Sequence, residues 1–124
     1  MVKLRARCVV VVSVCLFEKS VPIPEVGDAV EFYICDSAGR EPFADACENM
    51  WNQPIRVLLG NKSDLSSRRE VDAAGAQSWA QSHGLEYHET SAKEIGQYEA
   101  PFLSMARAFH SLYQDQIQII QSLV

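Results

Sequence analysis

The 124-residue sequence has no C-x-x-C pair and no cysteine near a histidine at zinc-ligand spacing; Cys8, Cys15, Cys35 and Cys47 fall at wide, irregular intervals. A zinc module is therefore excluded, and the four read as reduced, mostly buried thiols of a cytosolic protein. Positive charge is not in excess. The 11 lysines and arginines are dispersed and the net charge is -5, which speaks against a nucleic-acid surface, because a polyanion needs clustered cations. No apolar run is long enough to span a bilayer. Met1 to Arg7 followed by Cys8 to Phe17 has the outline of a secretory signal. Valine, a strand former, dominates it, however, and no small-residue cleavage site precedes Glu18 and Lys19. No cysteine follows Cys47, so a prenyl chain has no attachment point and direct membrane anchoring is not expected. Internal repeats and low-complexity segments are also missing. His83, His88 and His110 stand near no nucleophile motif, which leaves little for an unrelated hydrolase.

What is present is an ordinary globular composition, 48% hydrophobic and 22% charged, at a length that allows one domain over residues 1–124. Cys8 to Val12 is a continuous β-branched run, expected as a central strand buried on both faces. Val21 and Ile23, interrupted by Pro22 and Pro24, suit an edge strand. Pro24 to Asp28 should turn the chain into a hairpin with Ala29 to Cys35, where Val30, Phe32 and Ile34 alternate with Glu31 and Tyr33. Phe43 to Trp51 reads as a short helix stopped by Pro54, and Ile55 to Leu59 as a strand. Asp72 can cap a helix with Ala76, Trp79 and Ala80 on one face, and Gly84 can end it in the left-handed region. Leu85 to Glu89 follows as a strand. A final helix from about Ala100 to Ser122 carries the stripe Phe102, Ala106, Phe109, Tyr113, Ile117 and Ile120. Alternating strands and helices define an α/β layer protein with a mainly parallel sheet and helices on both faces.

In such sheets ligands bind beyond the carboxyl ends of the strands. Three polar clusters follow predicted strands in succession: Asp36-Ser37-Ala38-Gly39, Asn61-Lys62-Ser63-Asp64 and Thr90-Ser91-Ala92-Lys93. Taken singly, Asn61, Ser63 and Asp64 could merely close a turn, Asp36 could cap a helix, and Lys93 could be a solvated charge. In this order, after three strands, the clusters resemble the small-GTPase superfamily, a P-loop NTPase-like fold. The wording of Ser37 to Glu41, of Val57 to Leu65, and of Gly84 through Ala100-Pro101-Phe102 to His110 is similar to the Rab-like small GTPases of ciliary intraflagellar transport.

The resemblance implies GTP or GDP and Mg²⁺ as ligands. Asp64 would accept two guanine N–H groups, which adenine cannot supply in that arrangement, Asn61 would hydrogen-bond the base edge and brace the loop, and Lys62 would lay its stem over the ring. Ala92 would offer its backbone N–H to the base oxygen, with Ser91 and Lys93 supporting the pocket. Asp36 would hold the magnesium through water, and the N–H of Gly39 would sense the terminal phosphate. By the same resemblance the partners are a small β-sandwich intraflagellar-transport subunit and the larger transport complex, and the location is the cytoplasm and cilium.

The sequence departs from the family in two places. G-x-x-x-x-G-K-[ST], whose backbone N–H groups cradle the phosphates, is absent: none of the six glycines precedes a Lys-Ser or Lys-Thr pair at the needed spacing. Between Gly39 and Asn61 there is room for about one average helix, where the family has two helices and two strands. The chain therefore reads as a truncated form, from a splice variant or a partial gene model, and the strand 55–59 is expected to fill the vacant slot beside the first strand. Arg40 stands where many members have a water-orienting glutamine. Weak GTP binding and inefficient hydrolysis are expected, with no catalytic residue assigned. A nucleotide-independent scaffold that uses the final helix is the alternative.

Overall fold

In a computed structural model of the chain, residues 3–7, 16–35 and 54–123 are described. The expected strand 8–12, the helix 43–51, and Asp36, Gly39 and Arg40 lie outside them. Within the described residues the chain forms two compact units, Met1–Pro54 with Ala106–Val124, and Ile55–Met105.

The first unit is built on a β-hairpin. Strand β1 (Lys3–Arg7), where Leu4 and Ala6 alternate with basic residues, pairs in parallel with β3 (Asp28–Cys35), which pairs antiparallel with β2 (Leu16–Ile23) in the order β1-β3-β2. Pro22 and Pro24 predict an edge strand, and β2 is one, since a proline cannot donate to a second neighbour. The turn closes through the N–H groups of Val26 and Gly27 on the Ile23 carbonyl, at 3.3 and 3.1 Å. Gly27 has φ +71°, where a side chain would strain the backbone. Val21 sits directly across from Val30, and these two with Ile23 and Ala29 are the buried apolar centre. Strand β1 was not anticipated in the sequence, where the alternation of Leu4 and Ala6 is a weaker signal than the four consecutive valines of the run 8–12, which lies outside the described residues.

The second unit holds strand β4 (Val57–Gly60), helix α1 (Ala73–Ser82) and strand β5 (Glu86–Glu89), with β4 and β5 parallel and in register from Val57↔Glu86 to Gly60↔Glu89. Two of the three described ladders are thus parallel, as an α/β pattern requires. β4 pairs with β5 alone among the described residues, so the expected ladder beside the first strand is not seen there. The Asp72 carboxylate caps α1 by accepting from the Gly75 N–H. Gly84, at φ +66°, ends the helix while Leu85 donates to the Ala80 carbonyl at 2.8 Å. Ala80 is buried as expected, but Trp79 is exposed and stacks on His83 with ring centroids 4.0 Å apart. It lies off the Ala76/Ala80 row, so its ring covers the last turn of the helix rather than the core.

Helix α2 (Glu99–Ser122) starts in the second unit and continues into the first. Pro101, in its first turn where a missing N–H costs nothing, is fully buried. Ala106 is also buried, and Phe109, Tyr113 and Ile117 are half-buried, so the predicted stripe holds to Ile117. Beyond it Ile119, Ile120 and Leu123 are exposed. Within the first unit the helix meets the hairpin through Arg107 on Glu25 and through His110 Nε2, 3.1 Å from Asp28 Oδ2.

Candidate guanine-base site

Because β4 and β5 run in parallel, their carboxyl ends emerge at one edge, and the polar clusters that follow them become neighbours. The ladder is prolonged into both loops: Thr90 donates to the Gly60 carbonyl at 3.0 Å and Ser63 to the Thr90 carbonyl at 3.1 Å. Reaching back that way requires a reversal, and Lys62 supplies it with φ +64°, the one non-glycine residue with positive φ among those described. Two bonds stabilise this conformation. The Lys62 N–H donates to Asn61 Oδ1 at 2.8 Å, and the Leu65 N–H closes the turn on the Lys62 carbonyl at 3.0 Å.

Asp64 and Ser91, 27 residues apart, meet at this edge. The Ser91 hydroxyl, completely buried, donates to Asp64 Oδ1 at 2.6 Å and accepts from the Lys93 N–H at 3.2 Å. Lys93 Nζ lies 3.4 Å from Asp64 Oδ2; its side chain is 77% exposed against 17% for Asp64, so the ammonium is the mobile partner. The Ser91 hydroxyl first, and Lys93 after it, hold the Asp64 carboxyl below the usual carboxylate range. Asp64 is therefore a fixed anion, and each of its oxygens retains room for a second donor. The Ala92 N–H donates to none of the described residues. Asp64, Ser91 and Lys93 are thus joined by direct contacts, with Asn61 and Lys62 on the same loop as Asp64 and Ala92 between Ser91 and Lys93.

Several neighbours were not singled out by sequence reasoning. Arg69 forks onto Glu89, with Nη1 to Oε1 at 2.7 Å and Nη2 to Oε2 at 3.0 Å, and the Tyr87 hydroxyl donates to Glu89 Oε1 at 2.9 Å. Arg69, then Tyr87, lower the Glu89 pKa, while burial raises that of Tyr87. This cluster ties the segment after Asp64 to the end of β5 and rests against Gly60, where a Cβ would come within 2.5 Å of the Tyr87 hydroxyl. A side chain at the residue before Asn61 would force the Tyr87 ring to shift. Glu86 accepts from Ser104 at 2.5 Å and contacts His88 at 2.8 Å, which lowers its pKa, Ser104 contributing most. Ser63, between Lys62 and Asp64, donates its hydroxyl to Gln97 Oε1 at 3.0 Å. Apart from Ser63, which lies inside the Asn61-Lys62-Ser63-Asp64 cluster, none of these side chains falls in a recognisable motif. A cleft of about 370 Å³ adjoins the loop, lined by Leu58, Asn61, Lys62, Arg69 and Tyr87 among others; Asp64, Ser91 and Lys93 do not line it.

Comparison with known proteins agrees with this edge. A profile described as the Ras family matches residues 43–111, which include Asn61 to Asp64 and Ser91 to Lys93 and exclude Asp36 and Gly39. The chain is 38% identical to the intraflagellar transport protein 27 homolog of Bos taurus over 143 residues, covering 88% of this chain and 77% of the relative. It is 36% identical to the Homo sapiens homolog over 142 residues, with 87% and 76% covered, and 36% identical to that of Mus musculus over 143 residues, with 88% and 77% covered. An alignment of 143 positions on 88% of 124 residues leaves about 34 positions of the bovine relative with no counterpart here, inside the aligned span. With more than half of its length in the profile and more than two thirds of each relative covered, the chain belongs to the Ras family of small GTPases, in the Rab-like branch of the intraflagellar transport protein 27 homologs.

Proposed function

We propose that the chain is a guanine-reading subunit of the ciliary intraflagellar-transport machinery whose hold on GTP is impaired. One observation carries the proposal: the ionised Asp64 carboxylate is fixed by the buried Ser91 hydroxyl at the shared edge of two parallel strands, beside the unspent Ala92 N–H. Asp64 takes the two guanine N–H groups, Ala92 the base oxygen, and the Lys62 stem covers the ring. Asn61, Ser91 and Lys93 hold the loops. The described residues therefore fit the base of a guanine nucleotide. Bound GTP would supply the terminal phosphate that the Gly39 N–H senses, and Mg²⁺ would be held by Asp36 through water. The sequence has no phosphate loop, so the phosphates add little affinity.

About four hydrogen bonds worth roughly 1 kcal/mol each give a dissociation constant on the order of a millimolar. Titration of the chain with fluorescent GDP and Mg²⁺ should show no saturation at micromolar concentrations; saturation there refutes the impairment. The two units are read as parts of one truncated domain located in the cytoplasm and cilium. Its partners are a small β-sandwich transport subunit and the larger complex, tested by whether co-expression retains that subunit on the tagged chain.

A nucleotide-independent scaffold is the second reading, favoured by the exposed Ile119, Ile120 and Leu123 at the end of α2. No described helix is long and apolar enough to cross a membrane. If partner capture survives replacement of Asp64 and is lost on replacing these three residues, the scaffold reading prevails.

A further inference from the structure

We infer that Ser63 and Gln97 form a positioning pair that sets the separation of the two base-reading loops, and with it the preference for guanine. The inference rests on the base-site reading above. Guanine is distinguished from adenine by two donors and one acceptor, and here the groups that would answer them lie on different loops, Asp64 on one and Ala92 on the other. Discrimination then depends on how rigidly the loops are spaced, because an error of an ångström prevents Asp64 and Ala92 from engaging the base together while still admitting a flat ring.

The loops are joined by backbone bonds from the Thr90 N–H to the Gly60 carbonyl and from the Ser63 N–H to the Thr90 carbonyl, by two side-chain hydrogen bonds and by the Lys93–Asp64 ion pair. The Ser63 N–H to Thr90 carbonyl bond fixes only the start of the second loop. The Ser91 to Asp64 bond uses the same carboxylate that must address the base. The Ser63 hydroxyl to Gln97 bond, 3.0 Å and partly buried, uses no group that faces the base, so it can persist unchanged with the base bound. Gln97 is held in turn. It belongs to the short 3₁₀ turn Ile95–Tyr98, its backbone N–H donates to the Glu94 carbonyl at 3.1 Å, and its side-chain amide donates to the Glu94 carboxylate. A carboxylate only accepts, so the Gln97 nitrogen turns to Glu94 and its oxygen to Ser63, leaving one orientation of the amide. Glu94 also donates its N–H to the Ser91 carbonyl at 3.1 Å. A chain of bonds thus runs from Ser63 through Gln97 and Glu94 to the backbone carbonyl of Ser91. Ser63 occupies the one position of the Asn-Lys-x-Asp motif with no role toward the base, and this bond gives it one.

The test uses the full chain, with amide shifts in ¹H–¹⁵N NMR spectra titrated separately with guanosine and with adenosine. Wild type should bind guanosine in preference to adenosine. Gln97→Ala and Ser63→Ala should each weaken guanosine by about fivefold, a typical hydrogen-bond loss, while leaving adenosine unchanged. Ser63→Thr, which keeps the hydroxyl, should restore the preference, and the double variant should be no worse than either single one. Equal losses for both nucleosides, or guanosine binding unchanged in the alanine variants, would overturn the pairing while leaving the base site standing. No preference in wild type would remove the base site itself, and the pairing with it.

Discussion

Gly60→Ala tests the packing behind the base loop most directly. The added Cβ would lie 2.5 Å from the Tyr87 hydroxyl, 0.9 Å inside the 3.4 Å where ordinary contact begins, with Cζ at 3.2 Å and Cε2 at 3.3 Å. The ring cannot simply swing away, because its hydroxyl is bonded to Glu89, which Arg69 grips with both nitrogens. Overpacking of this kind costs about 1–3 kcal/mol, and displacing the Tyr87 hydroxyl from Glu89 costs about 0.5–1.5 kcal/mol. Alanine returns about 0.5–1 kcal/mol by restricting the unfolded chain. The net expectation is a loss of about 2 kcal/mol, read in urea unfolding as a midpoint lower by about 1–2 M. Tyr87→Phe removes the clashing atom and leaves only the two milder ring contacts. In that background Gly60→Ala should cost about 0.5 kcal/mol or less. An equal cost in both backgrounds, or none in wild type, refutes the account of why this position is glycine.

Three further outcomes are expected. Asp64, Glu86 and Glu89 all titrate below their ordinary values, through Ser91, Ser104 and Arg69 respectively. Folded-state stabilisation of their ionised forms is therefore present above an ordinary glutamate value of 4.5 and is lost as pH falls through the lowered values. Urea midpoints measured downward from pH 7 should hold and then drop, and a flat profile to pH 3 would contradict these hydrogen bonds. Val30→Ala empties a fully buried site opposite Val21 and should cost about 2–3 kcal/mol in the same assay; a loss under about 0.5 kcal/mol would show that the hairpin core is elsewhere. Asp72→Ala removes the α1 cap on Gly75 and should cost about 1 kcal/mol, with Asp72→Asn or Asp72→Ser nearly neutral; equal losses in all three would mean that the cap is not the cause.

Elements marked by local chemistry were legible in the sequence. Pro22 and Pro24 announced an edge strand, Gly27 a turn, Asp72 and Gly84 the ends of a helix, and each acts locally, Asp72 through its carboxylate and the others through their own backbone. The placement of the two candidate loops was legible for a different reason: Asn61, Asp64 and Ser91 follow recognisable strands, and a parallel ladder brings the ends of those strands to one edge. Ser63, Gln97, Arg69 and Glu89 were not legible. Their bonds join residues 34 and 20 positions apart, and nothing in the type of a serine or an arginine says which distant carboxylate or amide it will reach. Trp79 was misplaced by periodicity alone, since a large aromatic can cover its own helix end as readily as a core.

The candidate base-reading residues, from Asn61 to Lys93, lie inside a unit that runs continuously from Ile55 to Met105. The residues expected to address the phosphate side, Asp36 and Gly39, lie upstream of that unit in the sequence. A loss of residues before position 55 can thus silence one capacity while the geometry of the other survives, which makes purine reading and energy coupling separable inheritances rather than a single indivisible trait.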